Sequence, residues 1–202
     1  MQRNENVKAL IETGIFVAIA LILDLVFGSI YSLPFGGSVS LAMLPIFMIA
    51  ARRGFKYGVL GGAIFGILQT LIKVYFLSLP QYIMDYLVSF MVLGVAGIIP
   101  KASERKGRFA LGIIIGSLLR LIVASITGIL YWRVFIPDEI EFMNTLFGTN
   151  FNAFFASENF VIIFGAFLYN ALYLIPSAIL CIIVGMILHR RGIIDLSGNK
   201  LH

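Results

Sequence analysis

Residues 159–189 read NFVIIFGAFLYNALYLIPSAILCIIVGMILH, with no aspartate, glutamate, lysine or arginine in the whole stretch. A helix needs about 20 apolar residues to cross the hydrocarbon core of a bilayer. This segment exceeds that and leaves room to tilt or to project beyond the membrane. Five more apolar segments precede it, near residues 8–31, 38–51, 57–77, 81–100 and 109–134. The second is short for a full span. No soluble domain fits between them, so residues 1–202 are expected to form one all-α integral membrane domain of six helices. Asp24 interrupts the first segment and no clear cleavage site follows it, so that segment is expected to be retained.

Composition agrees. The chain of 202 residues is 60% hydrophobic and only 12% charged. A soluble domain is roughly 45–50% apolar and about a quarter charged, so water is not the main solvent here. Disorder is excluded by the same apolar excess. The net charge of +5 does not indicate a nucleic-acid binder, because the basic residues form short clusters between apolar runs. The single cysteine, Cys181, cannot close an intrachain disulfide or build a metal cluster. The two histidines, His189 and His202, lie at or beyond the end of the last segment, which argues against a buried Ser–His or His–metal centre and against intramembrane proteolysis. The sequence has no P-loop and no filter-like motif, which argues against ATP hydrolysis by that route and against an ion channel. An enzyme is not expected, and no cofactor is implied.

Charge sets the expected orientation. Arg3, Lys8, Arg52, Arg53, Lys56, Lys101, Arg105, Lys106, Arg108, Arg190, Arg191 and Lys200 fall on one side, and Arg133 alone on the other. The positive-inside rule then puts both termini in the cytoplasm. The long stretch from Arg133 to Glu158 becomes an external loop, carrying Asp138, Glu139 and Glu141 as well as Phe151, Phe154 and Phe155. Loops of this length are often functional, a lid being one option and a plain surface excursion the other.

Small residues recur at helical spacing. Gly14 and Ala18 stand four apart on the first helix; Gly58, Gly61, Gly62 and Gly66 line the third; Gly94 and Gly97 lie in the fourth, Gly112 and Gly116 in the fifth. Such residues let helices approach closely in lipid, either within the bundle or against another membrane protein. Ionisable residues inside spans cost roughly 2.5–3.5 kcal/mol on insertion scales and therefore need a reason. Asp24, Lys73, Asp85 and Arg120 are the four, and the first three are expected towards the external side. Asp85 sits among Tyr75, Phe76, Tyr82 and Tyr86. A carboxylate among aromatic rings suits an organic cation; pairing with Lys73 or Arg120 is the plainer alternative. Trp132, beside Tyr131, is either a stacking ring or an interfacial belt residue. Asn170, beside Tyr169, can hydrogen-bond a heterocycle edge or a neighbouring helix.

Several stretches, taken together and in order, carry a family likeness. They are Leu23-Asp24, Leu33-Pro34-Phe35-Gly36-Gly37-Ser38-Val39-Ser40, Pro45-Ile46-Phe47 with Arg52-Arg53-Gly54, and Gln81 through Asp85-Tyr86-Leu87-Val88. They continue with Gly116-Ser117-Leu118-Leu119-Arg120 running to Thr127-Gly128, and Tyr169-Asn170-Ala171-Leu172-Tyr173 with Ile175-Pro176-Ser177. The sequence resembles the thiamine-specific substrate-capture subunits (S components) of energy-coupling factor (ECF) transporters.

The resemblance implies a six-helix bundle of the ECF S-component type, in a bacterial plasma membrane, that captures thiamine from outside and catalyses nothing. It implies a partner module of one transmembrane coupling protein and two ATP-binding-cassette ATPases, with the S component toppling in the membrane to release its ligand inside. Residues 31–38 match the family's lid. Asp85 matches its acidic residue, Tyr75 and Tyr86 its tyrosines, Trp132 its ring and Asn170 its amide; Gly128 and Tyr169 fall in the same matched stretches. Gly14 and Ala18 match the small residues that contact the coupling protein. Two positions depart from the family pattern: Ala124 stands where a histidine is usual, and Gly165 where a tyrosine is common. A changed site can prefer another ligand. Thiamine is therefore the first expectation, and a related heterocycle such as a precursor pyrimidine the alternative. A structural or assembly role without a ligand is the reading from another class, and an autonomous proton-coupled carrier using Asp24 and Asp85 is a third.

Overall fold

The segment that is short for a span proves to be the centre of the molecule. In the computed structural model, which describes residues 2–72, 78–100, 102, 105–131, 135–150 and 158–190, Met43–Arg53 is a helix of 11 residues. Every residue from Leu41 to Ala50 is buried. An ordinary amphipathic helix shows one polar face; this one is apolar all round because neighbours cover it on all sides. We number the helices α1 (Gln2–Gly28), α2 (Met43–Arg53), α3 (Phe55–Gln69), α4 (Leu79–Ile98), α5 (Lys106–Tyr131), α6 (Ile136–Phe147) and α7 (Glu158–Arg190). Helices α1, α3, α4, α5 and α7 all touch α2. Phe47, Ile46 and Ile49 at its middle are fully buried.

The outside of the bundle is apolar. Along α1, Ala9, Thr13, Val17, Ala20 and Asp24 are buried, while Leu10, Ile11, Ile15, Ile19, Ile22 and Val26 are exposed. Exposed apolar faces also run along α5 (Ile114, Leu118, Ile122, Ile126) and α7 (Ile163, Phe167, Ile175, Ile179, Ile183). Water would not tolerate so much apolar surface, whereas acyl chains do. Helices α1, α4, α5 and α7 are long and apolar enough to cross a bilayer. Helices α2 and α3, of 11 and 15 residues, are shorter than a full span. The chain is a multi-pass membrane protein, an all-α bundle whose described residues contain no sheet beyond one isolated bridge, Ser32–Ser38.

The glycines on α3 act inside the bundle. Gly58, Gly62 and Gly66 recur every four residues and so share one face. A methyl group at Gly62 would strike the carbonyl of Phe90, and one at Gly66 the carbonyl of Tyr86. At Gly58 it would lie 2.8 Å from the Cα of Gly94. Helices α3 and α4 therefore meet backbone to backbone. Gly112 and Gly116 on α5 do the same work against Ala96 and Phe47. By contrast, nothing lies within 4 Å of a Cβ built at Gly14, and Ala18 is exposed on the same face.

At one end of the bundle an ion cluster ties α1 to α2. Glu12 bonds Arg53 Nη2 at 2.6 Å and Arg52 Nε at 3.0 Å, and Arg53 also reaches Glu5 at 3.5 Å. At the other end, residues 135–150 correct the expectation of a plain loop. They contain α6, with Pro137 in its first turn, acidic residues Asp138 and Glu139 beside it, and Gly148 closing it at φ 61°. Each is a boundary signal with a physical cause: fixed φ, dipole complementarity and a left-handed cap. Ile136, Ile140 and Met143 share the buried face and pack on Leu33, Ile162, Ala166 and Tyr169.

Gly62→Val should destabilise the bundle by several kcal/mol, because the extra carbons meet fixed backbone rather than a movable side chain. Gly14→Val should leave stability nearly unchanged. Thermal unfolding of the two detergent-purified variants checks the contrast.

Candidate functional site

The end of the bundle opposite the Glu12–Arg52–Arg53 cluster holds a cavity of about 490 Å³. Its walls come from all seven helices and from the α1–α2 connection. The cavity falls inside the roughly 300–1,000 Å³ range of small-molecule sites. The lining is unusually polar for a membrane interior. Three carboxylates (Asp24, Asp85 and Glu139) and one guanidinium (Arg120) face it.

Helix α4 sets the position of Asp85. Ser78 caps the helix by accepting from the Gln81 N–H, with Pro80 in the first turn. The helix then widens to π-helical geometry over Ile83–Val88 before tightening to a 3-10 turn over Val92–Ile98. Widened turns occur mostly at functional sites, because an extra residue per turn re-aims the side chains. Here the widened turn carries Asp85 and Tyr86 to the cavity, and Gly66 leaves room for the Tyr86 carbonyl. Gln81, fully buried, donates its side-chain N–H to Asp85 Oδ2. Tyr86 stacks on Tyr82 at 5.5 Å between ring centroids.

Asp24 is 3% exposed and accepts a hydrogen bond of 2.9 Å from Gln69 Nε2. Arg120 lies with its guanidinium carbon 4.0 Å from the centroid of the Phe90 ring and its Nε 3.4 Å from Ser89 Oγ. It makes no ion pair with Asp24 or Asp85 among the described residues. The alternative of an Asp85–Arg120 pair is not what the structure has.

The cap over this cavity is the hairpin of residues 31–39. Leu33 N–H donates to Gly37 at 2.9 Å and Val39 N–H to Tyr31 at 3.2 Å. Gly36 and Gly37 take φ values of 97° and 85°, which side-chain-bearing residues rarely adopt. A Cβ at Gly37 would also collide with the Tyr173 ring at 2.6 Å. Tyr169 latches the tip: its hydroxyl accepts from Phe35 N–H at 3.0 Å and donates to the Gly36 carbonyl at 3.1 Å. The Phe35 and Tyr169 rings meet edge to face at 6.2 Å. Below the tip, Ser177 Oγ accepts from Ser40 N–H at 3.0 Å.

Of the residues singled out in the sequence, Asp85, Tyr86, Gly128, Tyr169 and Asn170 all line this one cavity. Asn170 donates to the Ala166 carbonyl at 2.8 Å and accepts from Tyr173 Oη at 2.7 Å. Its orientation is fixed, with acceptor and donor capacity left over. Tyr75 and Trp132 lie outside the described residues, as does Lys73. Three charged wall residues were not chosen from the sequence as site residues. Asp24 and Arg120 stood out only as charges within spans, and Glu139 was assigned to a loop. Ala124, at the position of the family's histidine, lines the wall; Gly165, at that of its tyrosine, packs against Ile136 and Ile140 of α6.

A helical membrane bundle with a capped, acidic, ligand-sized cavity at one end has the form of a binding or transport protein. The sequence profile of the thiamine transporter protein family (Thia_YuaJ) matches residues 10–165. Thiamine transporter ThiT of Bacillus subtilis is 34% identical over 195 residues, covering 91% of each chain. ThiT of Lacticaseibacillus paracasei is 26% identical over 156 residues, covering 68% of this chain and 74% of the relative. A solved structure of ThiT from Listeria monocytogenes superposes with a TM-score of 0.72 at 22% identity, over 92% of this chain and 95% of that one. The chain belongs to the thiamine transporter protein family, as its resemblance to thiamine-specific S components implied. It is a transport protein and not an enzyme.

Tyr169→Phe keeps the ring contact and removes both latch hydrogen bonds, worth about 1–3 kcal/mol together. Amide hydrogen exchange at Leu33 and Phe35–Gly37 should accelerate by roughly tenfold or more, with exchange in α2 unchanged.

Proposed function

We propose that this protein is the substrate-capture subunit of an ECF-type importer in a bacterial plasma membrane and that its ligand is thiamine, taken from outside. The cavity is the observation that carries the reading, because its charge is matched to a cation. Thiamine carries a permanent positive charge on its thiazolium ring, and the walls carry the carboxyl groups of Asp24 and Asp85 beside the single guanidinium of Arg120. Asp85 balances the cationic ring, Tyr86 contributes a ring face, and Asn170 fixes a heterocycle edge. Gly128 leaves the ligand room at the α5–α7 contact. Tyr169 contributes its ring to the wall and its hydroxyl to the cap. Tyr75 and Trp132 keep the aromatic roles that the family likeness implies. A neutral pyrimidine would leave the acidic excess uncompensated, which favours thiamine over the precursor.

The orientation follows the same logic. All six apolar segments lie in the membrane, α2 and α3 as shorter members, with both termini cytoplasmic. Arg52, Arg53 and Arg108 cluster at the end away from the cavity, in accord with a cavity that opens outside. Gly14 and Ala18 form a smooth patch on the lipid-facing side of α1, with no internal neighbour at Gly14. That patch is suited to close helix contact with a transmembrane coupling protein. Two ABC ATPases would complete the module and supply the energy that this chain does not.

Asp85→Asn should weaken thiamine binding by about thirtyfold or more, roughly 2 kcal/mol or above, while the exposed Glu141→Gln changes it little. Calorimetry on the purified variants decides this; equal affinities would remove Asp85 from the site. Silence of the unsubstituted protein towards thiamine would overturn the ligand assignment. Gly14→Leu should leave thiamine affinity intact yet lower ATP-dependent uptake in vesicles carrying the whole module. Unimpaired uptake would place the coupling contact elsewhere.

A further inference from the structure

Glu139 has no role in the reading above, yet it is one of the most unusual groups in the molecule. It is 6% exposed, lines the cavity, and its carboxyl makes no hydrogen bond or ion pair with any described residue. A buried, unpaired carboxyl costs several kcal/mol if charged, so such a group is retained only where something offsets that cost. The helix that carries it is held firmly. Ile136 and Ile140, on either side of Glu139, press on Gly165, where a Cβ would lie 3.0 Å from each. A side chain at 165 would crowd the Ile136 and Ile140 side chains that flank Glu139. Gly165 thus gives α6 a close seat on α7 beside the cavity that Glu139 lines. At 12 residues, or about 18 Å, α6 is too short to span the bilayer.

We propose that Glu139 is a ligand-contacting carboxyl of the cavity, delivered by α6 across Gly165, and that it releases a proton when a cationic ligand binds. The inference rests on the thiamine reading only for the ligand's positive charge. Burial raises the Glu139 carboxyl from the ordinary 4.5 to about 8, so it is mostly neutral in the empty protein at pH 7. A cation seated beside it favours the charged form, and the proton passes to solvent. The sign follows. Binding must pull the proton off below pH 8, so apparent affinity rises with pH up to that point and then levels.

The other groups facing Glu139 are few. From α5 comes Arg120, from α7 Tyr169 and Tyr173, and across the cavity stand Asp24 on α1 and Asp85 and Tyr86 on α4. The hairpin contributes only Leu33 and Phe35 to the α6 contact. Asp138 and Glu141, the other acids of α6, are exposed.

The test is thiamine calorimetry between pH 6 and pH 8.5 on the full chain in detergent, repeated in two buffers of different ionisation enthalpy. The unsubstituted protein should gain about tenfold or more in affinity between pH 6 and pH 8 and release a substantial fraction of a proton at pH 7. Glu139→Gln, which keeps the side chain's size, should flatten the pH profile and abolish the release; Asp138→Asn should do neither. Proton release that is absent in the unsubstituted protein, or unchanged in Glu139→Gln, overturns the proposal while thiamine capture stands. If the unsubstituted protein does not bind thiamine at any pH, the ligand reading fails and this proposal with it.

Discussion

The backbone contact between α3 and α4 is the constraint on which the rest depends. In lipid there is little hydrophobic force to hold helices together, so close packing has to do it. Gly58, Gly62 and Gly66 let the two helices approach until Cα atoms and carbonyls of one lie against the other. The place where Gly66 receives the Tyr86 carbonyl is also the widened turn of α4. A side chain at 66 would push that turn away and carry Asp85 with it. The glycine stripe therefore sets both the stability of the bundle and the aim of Asp85.

The cavity can hold its charges because each is restrained differently. Asp24 and Asp85 each accept a hydrogen bond from a glutamine amide, Gln69 and Gln81. Arg120 is held by the face of Phe90 and by Ser89, and it forms no ion pair with either aspartate among the described residues. An ion pair would have satisfied the fold at the expense of the site. Amides and an aromatic ring satisfy the geometry and leave Asp24, Asp85 and Arg120 facing one cavity. This division between positioning and charge is what separates a binding cavity from a buried salt bridge.

Much of this was legible in the sequence. The segments near 81–100, 109–134 and 159–189 match α4, α5 and α7 to about three residues, whereas α1 begins six residues before its segment and α3 ends eight before the end of its own. Asp85, Tyr86, Gly128, Tyr169 and Asn170 converge on one cavity because the family likeness preserves their order along the chain. Two things were hidden for physical reasons. The full burial of α2 depends on five neighbours, and no local pattern encodes them. Helix α6 announced itself through Pro137, the acids after it, Ile136, Ile140 and Met143 at helical spacing, and Gly148. Its charges and its place in a long polar stretch disguised it as loop. Glu139 went with it: an acid in a first turn reads as exposed until the opposite wall is known.

Helix α7 explains why cap, wall and site belong to one unit. Tyr169, Asn170, Tyr173 and Ser177 occupy neighbouring positions over little more than two turns. The first latches the hairpin tip, the second and third bond each other at the cavity wall, and the last anchors the hairpin base. One turn before Tyr169, Gly165 and Ala166 receive α6. The hairpin and α6 are also in contact, through Leu33 against Ile136 and its neighbours. Neither cover can therefore move far without disturbing the other or the α7 face beneath both. The hydrogen bonds that hold the cap and the side chains that form the wall beneath it therefore come from one short stretch of α7.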